Sequence, residues 1–215
     1  IYNLSSLYQS IKIKSNQIRI INDLDSYNFE GDISNLKSKI NLSKFSALLN
    51  NDIKSFLKNE LIISSNNKFS FNLNKKIKFS DINIQSKITL EELKYSNDIF
   101  KRFFPGYKKD IKLENNSITI DYNNGDYKIN GKSKININGD IDNASYSLKK
   151  IKKDFFYDFN FEPINSAVNF KLLNYTKNKD IKSSLELKGK YSASKNINLE
   201  KIKFINDKNF INILD

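Results

Sequence analysis

The sequence predicts a mainly β fold, a long curled antiparallel sheet with one or two short amphipathic helices. Two observations carry this. From Tyr127 to Ile141, residues Tyr127, Ile129, Gly131, Ser133, Ile135, Ile137, Gly139 and Ile141 alternate with polar residues from Asp126 to Asp140. A strand sends alternate side chains to opposite faces, so such a run has one apolar or small face and one wet face. The same two-residue period recurs over most of the chain, and the breaks between runs are short and polar, which implies neighbouring antiparallel strands.

Taken in order, Ile11, Ile13, Ile18 and Ile20 predict a first hairpin turning near Ser15-Asn16. Phe29 to Leu42 reads as strand, with a change of phase between Ile33 and Leu36 that a bulge explains. The period then changes. Phe45, Leu48, Leu49, Ile53, Phe56 and Leu57 recur at three-four spacing, the stripe of an amphipathic helix, with Ser43 as its cap. Strands return over Leu61–Ile63, Phe69–Leu73 and Ile77–Leu90. A second short helix is expected from Glu91 to Phe104, ended by Pro105-Gly106. From Asp110 onward only strands are expected. Asn124-Gly125 marks a tight hairpin, and later strands centre on Ala144–Leu148, Phe155–Phe161, Val168–Leu172, Ile181–Tyr191, Ile197–Phe204 and Phe210–Ile213. No linker rich in Pro, Gly or Ser divides residues 1–215, so the chain reads as one β-rich segment with a soft seam near 104–110.

Composition narrows the chemistry. The chain contains no Cys and no His. Disulfides, thiolate sites, imidazole ligands and His-dependent triads are therefore excluded. The acids Asp121, Asp126, Asp140, Asp142, Asp180 and Asp207 fall in turns or wet phases, as does Glu186, so paired-carboxylate catalysis is not expected. The run from Asp121 to Asp126 resembles the start of a calcium loop, but Lys132 stands where that loop needs a bidentate Glu. No enzyme, cofactor or metal is expected. The net charge of +12 suits anionic partners, yet the lysines are spread along wet faces. The mixed basic and aromatic stretch from Phe100 to Lys109 lacks a nucleic-acid-binding signature, and its Phe residues read as a core face. No apolar run reaches the roughly 18 residues of a spanning helix, and no signal pattern opens the chain, which therefore reads as a mature or internal piece.

The order Ile99-Phe-Lys-Arg-Phe-Phe-Pro105, Ile118–Tyr122, Tyr127–Ile137, Phe155–Phe161, Ala167–Tyr175, Leu185–Tyr191, Ile197–Phe204 and Asn209–Ile213 resembles the AsmA-like superfamily of bacterial envelope proteins, in particular its YhdP-like branch. The resemblance covers roughly the last three-fifths of the chain, judged by strand order and texture. It implies a periplasmic segment of a larger protein held in the inner membrane by a helix outside this chain. It also implies a hydrophobic β-groove that carries phospholipid between inner and outer membrane. On that reading Ile118, Ile120, Ile129, Ile135, Ile137, Leu185 and Leu187 meet acyl chains, while Lys128, Lys132, Lys134 and Lys188 face water. The groove needs an apolar face without polar interruptions. The family offers no catalytic residues to carry over. Periodicity alone also allows a closed β-sandwich serving as a binding module for an anionic glycan, lipid surface or nucleic acid.

Overall fold

In the computed structural model, residues 1–8, 11–40, 61–108, 110–170, 175–192, 197–207 and 209–214 are described. The strands are β1 (Tyr2–Tyr8), β2 (Ile11–Asn22), β3 (Ser26–Ile40), β4 (Leu61–Asn74), β5 (Phe79–Tyr95), β6 (Ile111–Asn123), β7 (Asp126–Ile137), β8 (Asp140–Ile151), β9 (Asp154–Glu162), β10 (Val168–Phe170), β11 (Tyr175–Lys177), β12 (Ser183–Tyr191), β13 (Ile197–Asn206) and β14 (Asn209–Leu214). Twelve of them form one open antiparallel sheet in the order β1 to β9, then β12, β13 and β14. The pair β10–β11 forms a separate hairpin between β9 and β12 in the chain. Among the described residues no second large sheet faces the first, so the closed sandwich is not the architecture.

The expected helix at Phe45–Leu57 lies outside the described residues. The expected helix from Glu91 to Phe104 is corrected. β5 runs on to Tyr95, paired through to Ile111 of β6, and only a 3-10 turn follows at Asp98–Arg102. Cross-strand pairing of Glu92, Leu93 and Lys94 wins over their helix propensity because β6 offers a full ladder. The hairpin expected at Ser15-Asn16 is likewise corrected: β2 is continuous there, and the chain turns between Tyr8 and Ile11.

Ser15–Gln17 form instead a bulge, where the β2–β3 register shifts between Lys14 and Ile18. The Asp32 carboxylate fills it, accepting hydrogen bonds from the backbone N–H groups of Asn16 and Gln17, each at 3.1 Å. A second bulge stands where the phase change between Ile33 and Leu36 called for one. The β3–β4 register shifts between Asn35 and Ser38, Lys37 takes φ 41°, and its N–H donates to Ser64 Oγ at 2.9 Å. An extra residue flips the side chains beyond it to the other face. Each bulge therefore restores the apolar phase where the sequence breaks it. The Asn124-Gly125 turn is as expected, both residues having positive φ, 48° and 96°, the signature of a two-residue hairpin turn matched to strand twist.

The long connections share one end of the sheet. The chain leaves β3 at Ile40 and re-enters β4 at Leu61, its pairing partner. The segments after Tyr95 and after Glu162 depart from the same end. At the opposite end lie short turns such as Asn124-Gly125 and Lys152-Lys153.

Two small cores form at the long-connection end. Tyr107, Ile111 and Ile137 are buried together, with Phe100, Phe104, Leu113 and Ile135 packed against them. Ala144, Phe161 and Val168 make the second, flanked by Phe104, Ile135, Phe159 and Leu185. Removing the Phe161 ring should cost about 3–5 kcal/mol. We expect Phe161→Ala to lower the unfolding free energy by that amount in a urea titration, since Phe161 touches both the sheet and Phe104 of the covering segment, their rings meeting edge-on at 6.1 Å.

Candidate functional site

Register places all seven groove candidates on one face. Ile120 pairs with Ile129 and Ile118 with Gly131. Gly131 pairs with Tyr146, Tyr146 with Phe159, and Phe159 with Leu187. Leu185 pairs with Phe161, which faces Ala144 across β8. One row, Ile88–Ile118–Gly131–Tyr146–Phe159–Leu187–Ile202, crosses β5 to β9, β12 and β13 without a polar side chain other than the tyrosine hydroxyl.

The seven are not equally available. Ile118, Ile120, Ile129 and Leu187 are half-buried, on a part of the face that no other described segment covers. Ile137 is buried together with its pairing partner Ile111 and with Tyr107, and Ile135 and Leu185 pack into the cores described above. These three belong to the covered end. The run Tyr127–Ile141 also needs correction. The turn at Asn138-Gly139 reverses the chain, and Ile141 pairs with Asn136 while Asp142 pairs with Ile135. Ile141 therefore stands on the wet face and Asp142 on the apolar one.

Asp142 is the buried acid that the sequence pattern placed in water. Its carboxylate accepts the backbone N–H groups of Asn165 at 2.7 Å and Ser166 at 2.9 Å. Nearby, Lys177 is fully buried, and its ammonium donates to the carbonyls of Ile164 at 2.8 Å and Ser166 at 2.7 Å. Burial pushes the Lys177 pKa down, and the negative charge of Asp142 works against that. Ser183 Oγ donates to Pro163 O at 3.0 Å. These bonds fasten the segment between β9 and β12 over the apolar face. A backbone bond from Asn169 N to Phe103 O, 2.6 Å, links it to the segment after β5. Loops must satisfy their backbone polar groups when buried, and a charged lysine between two carbonyls does so. Ser and Asn residues had offered no sequence signal for this arrangement; the one available cue was an Asp in the apolar phase after a two-residue turn.

The apolar face carries a polar belt on β3 and β4, contrary to the expectation of an uninterrupted surface. Asn35 Nδ2 donates to Ile63 O at 2.8 Å and Asn67 Nδ2 to Ile33 O at 3.0 Å. Asn116 Nδ2 on β6 donates to Leu90 O and Leu113 O. Asn35 and Asn116 border register shifts, and all three amides donate to backbone carbonyls, so their own polar groups are met on the apolar face.

Two glycines shape the face. A Cβ at Gly131 would collide with the ring of Tyr146, and one at Gly189 with Tyr157. Each tyrosine ring occupies the space that a side chain at its glycine would need, and burial raises the Tyr146 pKa.

The wet face is ion-paired at one side and open at the other. Glu186 accepts from Lys201 at 2.7 Å and Lys188 at 2.9 Å. Those hydrogen bonds, Lys201 first, lower its pKa against a small opposing effect of burial. A depression of about 530 Å³ is lined by Lys12, Lys14 and Lys87 with Ser34, Ser64, Asn66 and Thr89, and by no carboxylate among the described residues. Another of about 540 Å³ lies between Arg19, Glu30, Lys68 and Asn83. Among the described residues no group of three or more acids could hold a metal ion.

No protein-family model, no curated protein and no solved structure matches the chain.

Two outcomes are expected from these contacts. Asp142→Asn replaces an acceptor of two backbone bonds with a group that can accept only on one side, and removes the charge beside Lys177. It should lower stability by about 3 kcal/mol, read by denaturant titration. Glu186→Gln should cost no more than about 1 kcal/mol at pH 7, because the pair is partly solvated. A lowered carboxylate pKa stabilises the fold above the ordinary glutamate value and loses that stabilisation as pH falls through the folded value. The difference between wild type and Glu186→Gln in thermal unfolding should therefore persist at the ordinary glutamate pKa and shrink to nothing only as pH falls through the lowered folded value.

Proposed function

We propose that this chain is a periplasmic segment of an AsmA-like, YhdP-like envelope protein and carries phospholipid acyl chains along the apolar face of its sheet. The observation that supports the reading most is the apolar row from Ile88 to Ile202 across seven adjacent strands, with no facing sheet among the described residues. Isolated apolar residues on a surface are ordinary, but a contiguous band of this breadth marks an interaction surface. A lipid tail in water costs about 0.8 kcal/mol per exposed CH₂. A band of Ile, Leu and Phe removes that cost without fixing the tail at one place, since none of these side chains forms directional bonds. Carriage, rather than tight capture, follows from that chemistry. The inner- and outer-membrane attachments belong to parts beyond these residues, and no catalysis is invoked.

The covered end narrows the path. The segments that bury Ile137, Ile111 and Phe161 leave Ile118, Ile120, Ile129 and Leu187 as the lipid-facing residues. Ile129→Asp sets a carboxylate among apolar neighbours, whereas Lys128→Asp alters only the wet face. After expression without detergent, native mass spectrometry of the wild type should show bound phospholipid. Ile129→Asp should lose most of that occupancy and Lys128→Asp should keep it. Equal occupancy in the two folded variants would overturn the lipid path.

A second reading is favoured by one observation, the acid-free lysine depression on β2 to β5. Lys12, Lys14 and Lys87 have no ion-pair partner among the described residues, and such a cluster suits an anionic surface. Binding to anionic but not to neutral vesicles, abolished by Lys12, Lys14 and Lys87→Gln together, would support it.

A further inference from the structure

One row of the apolar face differs from the rest. At the short-turn end, register aligns Ile84, Tyr122, Tyr127, Lys150, Phe155 and Tyr191 across β5 to β9 and β12. Its rings touch: Tyr127 meets Phe155 edge-on with centroids 6.4 Å apart, and Phe155 lies 6.0 Å from Tyr191. The next row inward, Ile120–Ile129–Leu148–Tyr157, is aliphatic except for its last member. Rings with a polar tip suit the level at which an apolar surface meets water. From β6 to β9, Lys150 is the one charged side chain on the part of this face that no other described segment covers. Its ammonium stands over the Tyr127 ring, 5.9 Å from the centroid, and donates to the Gly125 carbonyl at 2.7 Å. The hairpin turn thus holds the charge at the end of the sheet.

This charge has no counterpart. An ammonium offers three donors, and among the described residues Lys150 has one acceptor and no carboxylate. The acids of the adjoining turns stand in the opposite phase and are engaged there. Asp126 accepts the Lys152 N–H at 2.6 Å, and Asp154 pairs with Lys190 at 3.0 Å. The acids in the same phase of β8, Asp140 and Asp142, lie at the covered end, where Lys179 and the loop N–H groups engage them. Lys177 at that end feels the charge of Asp142; Lys150 has no such neighbour. A half-buried cation among rings is best satisfied by an anion brought from outside. We infer that Lys150 is the station for the phosphate of a phospholipid whose acyl chains lie along the strands, from the tyrosine row toward the covered end; this rests on the lipid reading of the apolar face. The phosphate oxygens take the remaining ammonium donors as charge-assisted hydrogen bonds. The chains pass over Ile120, Ile129 and Leu148, and β7 from Tyr127 to Ser133 offers them roughly 20 Å of strand. The head faces the short turns because the other end of the face is covered. The aliphatic rows hold a tail at no fixed place, whereas Lys150 adds one contact that is fixed.

Native mass spectrometry titrations of the 215-residue chain with phosphatidic acid and with diacylglycerol of the same acyl chains test it, since the two lipids differ only in the phosphate. The wild type should bind phosphatidic acid about tenfold more tightly, the worth of one charge-assisted hydrogen bond. Lys150→Gln should abolish that preference and leave diacylglycerol binding unchanged. Lys149→Gln removes the same charge from the wet face and should keep the preference, as should Lys150→Arg. A wild type that binds neither lipid would overturn the lipid reading and this inference with it. Equal binding of the two lipids by the wild type, or a preference that survives Lys150→Gln, would overturn this inference alone. Should circular dichroism show that Lys150→Gln has not folded, acetylation of the wild-type lysines by acetic anhydride replaces the variant. Phosphatidic acid should slow the modification of Lys150 and diacylglycerol should not. Protection of Lys150 by neither lipid, or equally by both, would overturn the phosphate contact.

Discussion

Everything in this structure depends on keeping one face of a very wide sheet apolar. Side chains in a strand alternate with a period of two, so a single extra residue inverts every side chain beyond it. Over strands of 12 to 17 residues such as β2 to β6, the sequence does not hold a strict alternation. Bulges absorb the errors. At Ser15–Gln17, at Leu36-Lys37 and at Asn115-Asn116 the chain inserts a residue and resets the phase. Each insertion leaves backbone groups without ladder partners, and a nearby polar side chain takes them up: Asp32, Ser64 and Asn116. The polar belt on the apolar face is the local cost of that correction. It explains why amides stand among isoleucines, and why they make bonds to the backbone rather than point outward.

Among the described residues no second sheet faces the apolar side of this one, and the cover they provide lies at one end. The segment after β5 lays Phe100, Phe104 and Tyr107 over Ile111 and Ile137, and the segment between β9 and β12 lays Val168 over Ala144 and Phe161. A loop pressed onto an apolar surface brings its own N–H and C=O groups with it. Asp142 and Lys177 supply opposite charges for these groups, one accepting N–H bonds and the other donating to carbonyls. Burying either charge by itself would be unfavourable. Each is tolerable because it is hydrogen-bonded and because the other lies near enough to be felt electrostatically. The remaining apolar band, from Ile118 and Ile129 to Leu187, is what a mobile apolar ligand could use.

The wet face follows different rules. Its lysines are ion-paired around Glu186, and those at Lys12, Lys14 and Lys87 line a depression without an ion-pair partner among the described residues. The two faces thus present two kinds of surface, each set by which residues the register exposes.

The sequence by itself determined the β class, the antiparallel meander, the Asn124-Gly125 turn and the shared face of Ile118, Ile120, Ile129, Ile135, Ile137, Leu185 and Leu187, because all of these depend on a local two-residue period and local turn chemistry. The bulge near Leu36 was legible for the same reason, as a break in that period. Tertiary structure decided the rest. Whether Ser15-Asn16 is a turn or a bulge depends on Asp32, 16 residues away from Asn16. Whether Glu91–Tyr95 is helix or strand depends on a partner strand beginning at Ile111. The inversion of Ile141 and Asp142 was hidden because alternation read through the Asn138-Gly139 turn as if the chain were straight. The burial of Asp142 and Lys177 was hidden because their partners are backbone groups of a loop, which no side-chain pattern records. Periodicity reports which side a residue faces, while only the folded chain fixes what, if anything, lies over that side.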